Sequence, residues 1–180
     1  HSNDDFLLKS IVRNSSDSGS LTTSFAQDRM WLMEQARPGR AIGNRPLAIE
    51  LSGALAAKLL RKALNEVTRR HEILRSRYVL EGSILQVDFD ATLEVELSLE
   101  SVECGSNTNQ FTVLQKRIKR ELLKPLDLER GPVFRCKLYR LGEDWHVLLI
   151  VIHHLIGDDW SDVVFIKELS ALYYGWRKED

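Results

Sequence analysis

The chain has 180 residues, a formal net charge of −1, 43% hydrophobic residues and 28% charged residues. That size and balance suit one soluble globular domain, or one lobe of a larger one, with mass enough to bury a core. They argue against nucleic-acid binding, which calls for a basic excess or run, and the longest apolar run, residues 147–152, is too short for a bilayer. Nothing at the amino terminus resembles a signal peptide, and His1-Ser2 fits the trace of an expression tag. Two cysteines suggest no disulfide framework. Cys136 falls on a strand face with Phe134 and Leu138, and Cys104 falls in a polar loop, so the expected setting is reducing and cytoplasmic.

In chain order, residues 1–23 read as an N-terminal segment, an amphipathic "FLLKSIV" followed by the Ser/Thr/Gly-rich linker "NSSDSGSLTT" (14–23). The main body, 24–180, opens with a helix in "SFAQDRMWLMEQARPG". Ser24 and Gln27 can form its capping box, and Pro38-Gly39 ends it. "LAIEL" (47–51) alternates as a strand does, and Leu55, Leu59, Ala63 and Val67 mark one helix face in the next segment. Two short strands are expected at 73–80 and 84–89 around a turn at Glu81-Gly82-Ser83. A third helix places Phe111, Leu114, Ile118 and Leu122 on one stripe and stops near Pro125. "VFRCKLYRL" alternates with Phe134, Cys136 and Leu138 inward, while "WHVLLIVI" is apolar on both faces, as in the middle of a covered sheet. A last helix starts near Ser161 and stacks Val164, Phe165, Leu169, Leu172 and Trp176. Helices and strands alternate without a Gly-rich phosphate loop, so the fold class is a layered α/β domain that does not bind nucleotides.

The chemistry concentrates in "VIHHLIGDDWSD" (151–162), where a buried strand ends in two histidines, a glycine and two aspartates. Successive strand residues face opposite ways, so His153 and His154 cannot both reach one ligand if the strand continues through them. His146 shares a face with His154 but stands roughly 26 Å away along a strand. With no HExxH or paired CxxC, the pattern offers no metal site. Two accounts remain open. One histidine can be a satisfied core residue and Asp158 or Asp159 a plain helix cap. Alternatively, the junction is a proton-transfer site, where a neutral imidazole titrates in the useful range.

Three ordered segments resemble one family. "HHLIGDDWS" is similar to the HHxxxDG signature of condensation domains from nonribosomal peptide synthetases, "SFAQDRMWL" to their SxAQxRLW motif and "RRHEILRSRY" to their RHExLRTxF motif. "PLDLERGPVFRCKLYRLGEDWHVLLIVIHH" resembles the approach to the signature, and the similarity runs from about Ser24 to Trp176. The resemblance implies a chloramphenicol acetyltransferase-like lobe, a mixed β-sheet with helices packed against it. It also implies that 24–180 is the amino-terminal lobe alone, the carboxy-terminal lobe being absent.

By the same resemblance, His154 is the catalytic imidazole for amide formation between a donor acyl or peptidyl thioester and an acceptor aminoacyl thioester. His153 supports it from behind, Gly157 permits the turn, and Asp158 pairs with Arg75 to staple two segments. Asp159, where the family carries glycine, borders the acceptor channel together with Trp160 and Ser161. Arg29, Trp31, Arg70 and Glu72 match motif positions that can be wholly structural, Trp31 above all. No cofactor is bound directly; phosphopantetheine arms arrive on upstream and downstream peptidyl carrier domains, and an adenylation domain is adjacent. Rival readings are an epimerisation domain, a soluble coenzyme A acyltransferase, or a non-catalytic condensation-like platform that recruits partner enzymes. Asp159 favours the platform; an intact His154 opposes it.

Overall fold

A computed structural model describes residues 21–105 and 109–178. The elements run β1 (Leu21–Thr22), α1 (Phe25–Gln35), β2 (Asn44–Ser52), α2 (Ala57–Arg70), a 3-10 turn (Glu72–Arg75), β3 (Ser76–Glu81), β4 (Ile84–Phe89), β5 (Leu97–Ser101), α3 (Gln110–Leu122), β6 (Phe134–Arg140), β7 (Trp145–His153) and α4 (Asp159–Arg177). The strands form an antiparallel sheet β1-β4-β3 and a four-stranded sheet β2-β7-β6-β5. In the larger sheet β5 runs parallel to β6, and the crossover this demands carries α3. None of the helices among the described residues is long and apolar enough to cross a membrane.

β7 is apolar on both faces because both are covered. Leu148, Ile150 and Ile152 pack with Phe134, Cys136 and Leu138 of β6 against Leu64 and Val67 of α2 and Phe165 and Leu169 of α4. Val147, Leu149 and Val151 pack the other way with Tyr139 and Leu114 of α3. The expected inward set on β6 is therefore as read from the alternation. Cys136 is buried, which pushes its thiol well above the ordinary value, and both cysteines are free. The capping box on α1 forms as expected: the Gln27 N–H donates to Ser24 Oγ at 3.3 Å, and the Ser24 N–H donates to Gln27 Oε1 at 2.9 Å.

Several expectations shift. Leu21 and Thr22, expected in the linker, pair with Val87 and Gln86 of β4, so the ordered body begins before Ser24. Thr23 follows them, its hydroxyl donating to the Leu85 carbonyl at 3.0 Å, while residues 14–20 of that linker and "FLLKSIV" lie outside the described residues. The strand expected from Ile73 begins at Ser76, because residues 72–75 close a 3-10 turn first. The buried stripe of α2 is Leu60, Ala63, Leu64, Val67 and Thr68; Leu55 precedes the helix and Leu59 sits at the stripe's edge. Phe111 and Val164 are exposed, while Tyr173, unread in the sequence, is a buried member of α4. β5 also escaped the sequence reading. It is a partly exposed edge strand of mixed polarity, which carries little hydrophobic signal.

Candidate functional site

The site lies where β7 hands over to α4. The strand ends at His153, so the alternation stops there and His154 begins the turn. Its backbone N–H donates to the Gly43 carbonyl at 2.7 Å. Its side chain is exposed, and Nδ1 lies 3.1 Å from the Gly157 carbonyl oxygen. A carbonyl can only accept, so Nδ1 carries the proton and the neutral ring presents Nε2 as a bare acceptor. That tautomer is the one a base at this position requires.

His153 is the opposite case. It is 1% exposed and fully committed. The Leu155 N–H donates to its Nδ1 at 3.2 Å, and its Nε2–H donates to Glu34 Oε1 at 3.1 Å. Burial lowers its pKa below the usual histidine value, and the Glu34 carboxylate only partly opposes this. The core-histidine account thus holds for His153, whereas His154 is exposed. Glu34, at the end of α1, is a site residue that sequence reading missed. Its partner is 119 positions away, and nothing in the pattern of "MEQARPG" sets one carboxylate apart.

The structure corrects the expected pairing of Asp158 with Arg75. Asp158 is exposed and caps α4: its Oδ1 accepts from the Ser161 N–H at 3.0 Å and from the Ser161 hydroxyl at 2.9 Å. These bonds, led by the one from the backbone, hold its carboxyl below the usual range. Arg75 points elsewhere, donating to the carbonyls of Thr68 and Asp90 at 3.1 Å each, and so ties the end of α2 to the end of β4. The physical reason is competition: the cap uses Asp158 locally, and three backbone carbonyls satisfy Arg75. The arginine that does serve this corner is Arg45 on β2. Its guanidinium grips Asp162 at 2.6 and 3.0 Å and reaches Asp159 at 3.1 Å.

Of the three residues expected near an acceptor channel, Ser161 is engaged in the cap. Asp159 is fully exposed beside Arg45. Trp160, 76% exposed, borders a pocket of about 200 Å³ that Ile73, Leu74, Ile156, Gly157 and Phe165 also line. Gly157 therefore stands between that pocket and the His154 ring. Its backbone is not left-handed; a Cβ there would come 3.2 Å from Ser161 Cβ, a close contact that Ser161 would have to yield to by a few tenths of an ångström. Of the remaining motif residues, Arg29 and Glu72 are exposed. Trp31 is core, Arg70 pairs with Glu66, and Gln27 donates to the buried Tyr78 hydroxyl at 3.3 Å, joining the first and second motifs. Among the described residues, no group of three or more His, Cys, Asp or Glu side chains is arranged to hold a metal.

A mixed sheet covered by helices on both faces, with a solvent-facing histidine after its central strand, is the arrangement of a chloramphenicol acetyltransferase-like lobe. The condensation domain family model matches residues 17–180, and the chain belongs to that family. Chondramide synthase cmdD of Chondromyces crocatus is 39% identical over 155 residues, covering 85% of this chain and 4% of that protein. The first condensation domain of the CDA synthetase superposes with a TM-score of 0.80 at 22% identity, covering 90% of this chain and 42% of the other. The X-domain from teicoplanin biosynthesis gives 0.79 at 26% identity, covering 93% and 35%. The chain thus spans about two-fifths or less of each of these three proteins.

Proposed function

We propose that this lobe supplies the base-bearing wall of a centre that forms amide bonds between two carrier-bound thioesters. The observation that carries this reading is the His154 ring: exposed, oriented by Gly157, and offering Nε2 to solvent. An α-amino group titrates near ~8, so a fair fraction of it is already neutral at physiological pH. When its nitrogen attacks the donor carbonyl, a C–N bond forms, the nitrogen becomes cationic, and its proton becomes strongly acidic. Nε2 accepts that proton. The C–S bond then breaks, and the departing thiolate takes the proton back from the imidazolium. Such proton handling contributes ~10²–10⁴-fold in rate. The thioester supplies the driving force, and no covalent acyl-enzyme is needed.

In this reading the substrates hang on phosphopantetheine arms of upstream and downstream peptidyl carrier domains, with an adenylation domain adjacent. The lobe acts with a second, carboxy-terminal lobe, and the 180-residue chain alone is inactive. Two free cysteines, one exposed, suit a cytoplasmic setting. The test is a complete condensation domain presented with both carriers loaded, comparing wild type with His154→Ala. Condensed product that falls by two orders of magnitude or more in the variant supports the proposal. Product unaffected by the substitution removes His154 from the chemistry. An inverted α-carbon without coupling indicates epimerisation, acyl transfer from coenzyme A indicates a soluble acyltransferase, and partner binding without product indicates a recruitment platform.

A further inference from the structure

We propose that Glu34 is the positioning residue for His154, acting from α1 through a single carboxylate oxygen. This deepens the reading of His154 as the proton-handling group and rests on it. Glu34 Oε1 accepts two hydrogen bonds, from the Gly43 N–H at 2.5 Å and from the His153 Nε2–H at 3.1 Å. The Gly43 carbonyl accepts the His154 N–H at 2.7 Å. One oxygen therefore gathers the loop before β2 and the end of β7, and the Gly43 peptide relays that position to the residue carrying the exposed imidazole.

Three further features show that this corner is built to one geometry. A Cβ on Gly43 would lie 2.3 Å from His153 Nε2, so the loop can pass the ring only as bare backbone. The loop reaches that point through Gly39 at φ +78° and Ala41 at φ +49°, a left-handed conformation that a non-glycine residue adopts only when its surroundings impose it. His153 is satisfied on both nitrogens, so the ring admits one orientation and one tautomer. Glu34 is not in contact with the His154 side chain in any hydrogen bond; it acts on the backbone that bears it.

The test uses the chain as it stands, labelled with ¹⁵N. In wild type the His154 ring is expected as the Nδ1–H tautomer, with a protected backbone amide. In Glu34→Ala that amide exchanges faster and the ring loses its single tautomer, while the amides of Leu148 to Ile150 keep their protection. An unchanged His154, or loosening spread evenly over β7, overturns the proposal, since the second is what a merely structural role gives. If Glu34→Ala does not fold, Glu34→Gln decides. It keeps the accepting oxygen and removes the charge, so His154 retains its tautomer while His153 titrates at lower pH, Glu34 from α1 and His154 beside it being the groups that face its ring. A His153 titration identical to wild type overturns the proposal. In a complete condensation domain, Glu34→Ala is expected to lower kcat by roughly 10²-fold with KM little changed, and Glu34→Gln to restore most of it. If His154→Ala has no effect there, the functional reading fails, while the spectra still decide whether Glu34 positions residue 154.

Discussion

The carboxylate of Asp158 shows how one residue can satisfy a motif for a local reason. Its work is to accept the Ser161 N–H and hydroxyl at the start of α4. Asp158→Asn keeps an accepting oxygen and is expected to melt near wild type. Asp158→Ala is expected to lower Tm modestly, without the collapse that losing a buried ion pair would bring. A thermal melt of the three proteins checks this. The cap was legible in the sequence, because a cap is a short-range pattern. The partner expected for it was not, because choosing between Arg75 and a neighbouring serine depends on where each guanidinium and hydroxyl ends up in space. Glu34 and Arg45 went unread for the same reason: their partners, His153 and Asp162, lie more than a hundred positions along the chain.

Among the elements, strands and helices declared by strong periodicity were readable and those held by context were not. β6 and β7 came through in the alternation and in the continuous apolar run; β5 did not, since its pairing with β6 depends on a parallel crossover that no local pattern announces. Ile150 of β7 is fully buried. Ile150→Ala is expected to cost about 2–5 kcal/mol, read as a lower denaturation midpoint at unchanged slope. α3 carries a different dependence. Burial by itself would raise the pKa of Glu121, but Lys124 at 2.7 Å and Lys137 at 3.3 Å prevail, and its carboxyl stays below the ordinary 4.5. A depressed folded-state value means a contribution complete above that ordinary value and lost as pH falls through the depressed one. Glu121→Gln should therefore cost about 1–3 kcal/mol at neutral pH and make stability less steep between pH 4.5 and the acid limit. Urea titrations at several pH values measure both.

Taken whole, the molecule is two sheets sharing one core. Tyr78, Leu85 and Val87 of the small sheet belong to the same cluster as Phe134, Leu148 and Phe165. Tryptophan fluorescence and far-ultraviolet circular dichroism should therefore report one coincident unfolding transition; two separated transitions would contradict the shared core. At this scale the layered α/β class was legible from element order, and the family from its motifs. The resemblance already divided the two histidines; that one is buried and bonded while the other faces solvent follows from the strand stopping at residue 153.

β7 lies inside its sheet, bonded along its length by β2 on one side and β6 on the other. The His154 imidazole is thus mounted one step beyond the strand least free to open. The strand holds the ring's anchor point firm, and the turn that begins at residue 154 is what remains to set its direction.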